Sequence, residues 1–197
     1  MNVNKTYHKS EEQIDQEQKE ILRAKEDRKF FAPIYKRYHR QIMKFVYQRT
    51  DDYEIAADLT QQIFLRAMMK LEKYEFRGLP FSSWLFRVAI NELNQHFRKN
   101  SKHRTINVDD TMLHFMADEI EDTGELEDRK RKLPTVLKML SADDFQYIEL
   151  RFMENRPFKE IAEILDITEN NAKVKTYRIL KKLQNLITIA INIKEFK

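Results

Sequence analysis

The chain has no cysteine and only two glycines, Gly78 and Gly124, in 197 residues. Without thiols there are no disulfides and no thiolate metal sites, and zinc fingers of the usual spacing are excluded. Both glycines fall in loop-like stretches, and helix formers fill the long segments between them, so the expected fold class is all-α. No apolar run approaches the roughly 20 residues that span a membrane. The first residues, MNVNKTYHKSEEQ, lack the apolar core of a signal peptide. The expectation is a soluble, cytoplasmic protein without membrane insertion. The histidines His8, His39, His96, His103 and His114 are scattered and lack paired-ligand or nucleophile spacing. Neither a cofactor, a metal nor an enzymatic activity is expected.

What is abundant is charge, and it is blocked. Residues 1–104 carry 21 Lys/Arg against 14 Asp/Glu, residues 105–128 none against 9, and residues 129–197 carry 15 against 9, giving nets of +7, −9 and +6. Two basic modules joined by an acidic segment suit a protein that meets nucleic acid at two places with a gap between them. Solvated helical surface is the plainer reading of the same charges. The Asp109–Asp110 pair lacks a calcium-loop glycine pattern and reads as solvated linker.

Along the chain, residues 1–27 are polar, with Ile14, Ile21 and Leu22 as anchors, and read as a tail or a weakly held helix. From Phe30 to Arg49, Phe31, Ile34, Tyr35, Tyr38, Ile42, Phe45 and Val46 recur at three- and four-residue spacing and predict an amphipathic helix. Asp51 and Asp52 can cap the next, which runs to about Lys73 with Ile55, Leu59, Ile63, Phe64, Ala67 and Leu71 inward. Tyr74 to Leu79 is a loop, and Pro80 opens a helix to about Asn100. A patternless linker covers 105–131. The second helical set starts near Lys132, with Pro134 to Leu140, then Ala142 to Glu154 behind Ser141.

Pro157 to Leu183 describes two short helices around a tight turn. Ile161, Ala162, Ile164 and Leu165 make the apolar face of the first, Asp166 and Ile167 the turn, and Thr168 the N-cap of the second, with Glu169 just inside. Lys173, Lys175, Arg178, Lys181 and Lys182 load the second helix with cations that can reach phosphates or base edges. That is the outline of a DNA-binding helix-turn-helix, although short patterns of this kind also arise by chance in helical proteins.

The helix after Pro80 is two-faced. At about 100° per residue, Leu85, Phe86, Ala89, Ile90, Leu93 and Phe97 share one arc, while Arg87, Asn91, Asn94, Gln95, Arg98 and Lys102 share the other. Amides and guanidinium groups can pair with base edges, with Lys99 and Arg104 on phosphates. The preceding Tyr74, Phe76, Arg77, Phe81 and Trp84 set aromatics beside cations, as in sites that hold unstacked bases. Phe81 and Trp84 would also suit a core, and Arg87 a solvated charge.

Asp58-Leu59-Thr60-Gln61-Gln62-Ile63-Phe64, Phe76-Arg77-Gly78-Leu79-Pro80-Phe81-Ser82-Ser83-Trp84-Leu85 and Arg87-Val88-Ala89-Ile90-Asn91 resemble region two of bacterial RNA polymerase sigma factors. The helix-turn-helix resembles region four. Two such regions with a short linker are similar to the extracytoplasmic-function (ECF) type of the sigma-70 family. The resemblance implies a region-two domain at 28–104, an acidic linker at 105–131 and a region-four domain at 132–197, behind the 1–27 extension. It implies a dissociable, non-enzymatic subunit that directs core polymerase to promoters and helps melt the minus-ten element.

By position, the resemblance implies that Asp58, Gln61, Gln62 and Arg66 meet the clamp helices of the largest polymerase subunit, with the flap a further partner site. Phe76, Arg77, Phe81, Trp84, Arg87, Asn91, Gln95 and Arg98 would meet the minus-ten element, duplex and melted non-template strand, the Phe76–Phe81 loop receiving a flipped base. Asn171, Lys173, Lys175, Arg178 and Lys182 would meet the minus-thirty-five major groove. A cognate anti-sigma factor is an implied partner, and the linker would thread polymerase channels. Departures are Gln62 for an acid, Asp166 for the turn glycine, and Asn170, Asn171 and Val174 for Gly, Thr and Ser. The Ile187–Ile193 tail reads as helix packing.

Two other classes compete. A repressor or activator would use the helix-turn-helix as a dimer on a palindrome, without polymerase. It has no use for an aromatic base pocket or the Asn91 face. A nucleic-acid-processing enzyme would need the ligand or nucleophile spacing that the histidines lack.

Overall fold

The computed structural model describes residues 9–100, 116 and 126–195. Its elements are helical, with no strand among the described residues, and they fall into two compact units, one N-terminal and one C-terminal. None of the described helices is long and apolar enough to cross a membrane.

The N-terminal unit holds α1 (Glu11–Glu26), a 3-10 turn (Arg28–Phe31), α2 (Ala32–Thr50), α3 (Tyr53–Lys70), a second 3-10 turn (Leu71–Lys73) and α4 (Phe81–Asn100). Ile34, Ile42, Phe45 and Val46 of α2 meet Ala56, Leu59, Ile63 and Ala67 of α3 and Leu85, Phe86, Ala89 and Leu93 of α4 in one core. Phe45 and Phe86 pack with ring centres 4.6 Å apart. Tyr35, expected inward, is exposed and lies edge-on to Phe64. Asp52 caps α3 by accepting from the Ile55 N–H (3.1 Å), while Asp51 ends α2 in the left-handed region at φ 52°.

α1 departs from the tail or weakly held helix that its polar sequence predicts. Ser10 and Gln13 form a reciprocal capping box that satisfies two otherwise orphaned N–H groups. Ile21 and Ala24 are buried, and so is Glu17. The Glu17 carboxylate accepts from Tyr38, Lys9, Arg37 (3.2 Å) and the backbone N–H of Phe81 (2.9 Å). Polar partners therefore anchor this helix where a hydropathy pattern registers only a charge.

The C-terminal unit holds α5 (Leu126–Leu137), α6 (Ala142–Ile148), a π-helical turn (Glu149–Met153), α7 (Phe158–Leu165) and α8 (Glu169–Glu195). Leu133, Val136 and Leu137 join Phe145, Ile148, Leu150, Ile179, Leu183 and Ile187 in its core. α5 runs through Pro134, which the sequence suggests as a helix start. The proline lacks the N–H that would bond four residues back, and the helix continues at that cost. Ser141 caps α6 through the Asp144 N–H (3.1 Å). Of the apolar tail, Ile187 packs inward and Ile189 is exposed. Lys102, Arg104, Asp109 and most of the 105–131 linker lie outside the described residues.

Candidate nucleic-acid interface

The start of α4 is built on an aromatic cluster. Tyr74 lies edge-on to Phe81 (5.2 Å) and to Trp84 (5.3 Å), and Phe81 and Trp84 are 5.2 Å apart. Phe81 is 0% exposed, so its ring supports the loop from beneath and is not presented to a ligand. Trp84 is partly covered, which is compatible with both the core and the surface readings of this residue. Burial, and then the negative charge of Glu17, push the Tyr74 hydroxyl's pKa up, keeping it neutral.

Above this cluster the loop projects Phe76, 38% exposed, and Arg77. Gly78 turns the chain at φ +67°, with nothing within 4 Å of where a Cβ would stand. The glycine answers a backbone need rather than a steric one. Asn91, Asn94 and Arg98 are exposed on α4, with Arg87 and Gln95 half-covered on the same side. A strip of amide and guanidinium donors thus continues from the aromatic loop.

On α3, Asp58, Gln61, Gln62 and Arg66 are all exposed. Arg66 Nε also lies 3.5 Å from the largely buried Glu92 carboxylate, which holds its guanidinium back against α4. Leu65 and Met69 stand between these polar residues at 53% and 60% exposure. Asp58, Gln62, Leu65 and Met69 follow four-, three- and four-residue steps and make one stripe.

In the C-terminal unit, Asp166 takes the left-handed conformation (φ 57°, ψ 49°) and ends α7 with its N–H on the Ala162 carbonyl. Thr168 Oγ1 accepts from the Asn171 N–H (3.3 Å) and starts α8. At about 100° per residue, Asn171, Lys175, Arg178 and Lys182 fall within about 60° of one another on α8. Lys173 stands about 140–180° away, across the buried arc of Ala172, Thr176 and Ile179. The five residues singled out in the sequence are therefore split between two flanks. Asp144 of α6 draws two of them together, lying 3.0 Å from Lys175 and 3.2 Å from Lys182.

Family comparison follows the same division. Sigma-70 region 2 matches residues 34–103 and Sigma-70, region 4 matches residues 130–183, covering the two units in order. The chain is an ECF-type sigma factor of the sigma-70 family.

It is 26% identical over 159 residues to the ECF RNA polymerase sigma factor SigM of Bacillus subtilis, covering 81% of this chain and 96% of that one. It is 28% identical over 161 residues to the ECF RNA polymerase sigma factor BldN of Streptomyces coelicolor, covering 80% of this chain and 60% of that protein. The solved structure of CnrH, in complex with the cytosolic domain of CnrY, matches at the level of fold, with a TM-score of 0.54 and 18% identity over 85% of this chain and 94% of that one. This sigma factor is a non-enzymatic initiation subunit that binds core RNA polymerase and directs it to promoter DNA.

Two features of the sigma factor escape a reading from motifs. Leu65 and Met69 were invisible because an apolar residue off the core arc of a helix is common and needs no explanation. Glu17 was invisible because it is charged, yet it sits three residues after Ile14 and four before Ile21, on the apolar side of α1. That spacing was the available signal.

Proposed function

We propose that the N-terminal unit, over about residues 28–104, carries both polymerase docking and minus-ten recognition, and that residues 132–197 carry minus-thirty-five recognition. The α3 stripe of Asp58, Gln61, Gln62, Leu65 and Met69 docks on the clamp helices of the largest polymerase subunit, with Arg66 at its margin. The Leu65 and Met69 side chains supply the apolar burial that a polar face alone lacks. Asn91, Gln95 and Arg98 read the minus-ten element, with Arg87 beside them. Phe76, Arg77 and the exposed part of Trp84 take the unstacked base of the melted non-template strand, over the Phe81 support. Stacking of one base on such an aromatic is worth roughly 1–3 kcal/mol, which helps offset unpairing.

On α8, Asn171, Lys175, Arg178 and Lys182 face the minus-thirty-five major groove, while Lys173 on the opposite flank meets a phosphate. The acidic stretch ahead of α5, about residues 105–125, follows polymerase channels, where its charge keeps it off DNA. The protein works in the cytoplasm, where its template is. A protein partner of the anti-sigma kind covers the α3 and α4 faces of the free protein; CnrH, similar in fold, was solved in complex with a second protein, the cytosolic domain of CnrY.

The single observation that carries this reading is the exposed amide and guanidinium strip of Asn91, Asn94 and Arg98 continuing from a loop that exposes Phe76 and Arg77. A reader of duplex DNA alone has no use for the second feature. Charge reversal at Lys175 and Arg178 tests the division of labour. Promoter recognition should vanish while core polymerase binding persists, and loss of both together would contradict it.

A further inference from the structure

We propose that α1 is a splint for the base-capturing loop, with Lys25 and Glu17 as positioning residues that grip its two ends. This rests on the base-capture reading above and assigns a role to a helix outside the region 2 match, which starts at residue 34.

Both grips are direct. Lys25 Nζ donates to the Tyr74 carbonyl at 2.7 Å and, more loosely, to the Glu72 carbonyl at 3.5 Å. The same ammonium lies 5.8 Å from the centre of the Tyr74 ring. At the other end, the buried Glu17 carboxylate accepts the Phe81 N–H at 2.9 Å, where α4 begins. Glu17 and Lys25 are eight residues apart on one rigid helix, about 12 Å along its axis. The loop between the grips, with Glu75, Phe76, Arg77 and Gly78 exposed, is thus hung from two points of fixed separation. Glu17 is itself tied to α2 through Tyr38 and Arg37. A loop held at both ends loses less freedom when a base enters it, so binding is stronger for the same contacts. The chemistry that identifies the ligand is unchanged: an unpaired nucleobase on a single strand.

Lys25 is the better test position because it is only partly covered, and Lys25→Met keeps a side chain of similar length while removing the charge and the N–H donors. Holoenzyme made from full-length protein and core polymerase is titrated with a single-stranded oligonucleotide of the non-template minus-ten sequence, taken from mapped start sites. Lys25→Met should bind it about tenfold more weakly, the scale of the ordering that about one freed loop residue must then undergo on binding. Lys25→Arg should restore it, and core affinity should not move. Unchanged oligonucleotide affinity in Lys25→Met overturns the splint. So does a parallel fall in oligonucleotide affinity, core affinity and melting temperature, which would make Lys25 a general fold contact. Failure of the wild-type holoenzyme to bind the single strand would remove the base-capture reading and the splint together, before any substitution is compared.

Discussion

The Asp144 carboxylate of α6 lies 3.0 Å from the Lys175 ammonium of α8, and Lys182 completes the pair from the other side at 3.2 Å. Two cations of the flank proposed to meet DNA are thereby engaged by the protein's own acid. Burial alone would raise the Asp144 carboxyl, but hydrogen bonds from Lys175 and Lys182 outweigh it and hold its pKa below the ordinary value.

Asp144→Asn should release both lysines to phosphates. The expected result is tighter but less selective binding of minus-thirty-five duplex, with the plot of log affinity against log salt steeper by up to about 2 units. The folding cost should stay under about 1 kcal/mol, since both lysines face solvent. Anisotropy titrations at several salt concentrations read the first, and thermal melts the second.

Glu17 gives a pH dependence with a definite sign. Burial alone would raise its carboxyl, but hydrogen bonds from Lys9 and Tyr38, the Lys9 charge and the Phe81 N–H hold it below the usual glutamate value. Arg37 adds a further cation. A carboxyl depressed in the folded state stabilises fully above its unfolded pKa, about 4.3, and that contribution fades as pH falls through the lower folded value. Glu17→Gln should therefore lower the melting temperature at pH 7, and the gap to wild type should close below about pH 4. A gap constant with pH would contradict the assignment.

Leu65→Glu and Met69→Glu should weaken core polymerase binding at least tenfold, on the scale of about 1.5–3 kcal/mol for one large apolar side chain buried at an interface. Melting temperature and binding of minus-thirty-five duplex should be unaffected. Competition against the wild-type protein for a fixed amount of core measures this directly.

Asp166 stands where a glycine would be unstrained. Asp166→Gly should raise the stability of the C-terminal unit by about 1 kcal/mol, and Asp166→Ala should lower it, because a non-glycine side chain pays for the left-handed conformation at φ 57°. Calorimetry on the full chain distinguishes the two directions.

Much of this molecule was legible in its sequence because its helices are bounded by local chemistry. Asp52, Ser141 and Thr168 each accept an N–H three residues on, and the 3.6-residue spacing from Ile34 to Val46 is the core face of α2. The α4 polar face followed from the same periodicity. What the sequence hid depends on contacts far apart along it. The pairing of Glu17 with the Phe81 N–H spans 64 residues and that of Asp144 with Lys182 spans 38. Wheel positions on α8 separate Lys173 from Arg178, yet a list of cations in order conceals the separation. Phe81 shows the limit of motif transfer, since the motif gives the residue but not the direction in which its ring is buried.

Run-off transcription from a pooled genomic promoter library, with purified core RNA polymerase and with or without this sigma factor, tests the central claim most directly. Discrete new transcripts that require both components, lost on Asn91→Ala or on Lys175→Glu with Arg178→Glu, are the predicted result. Specific DNA binding without polymerase, and no transcript with it, would contradict the account.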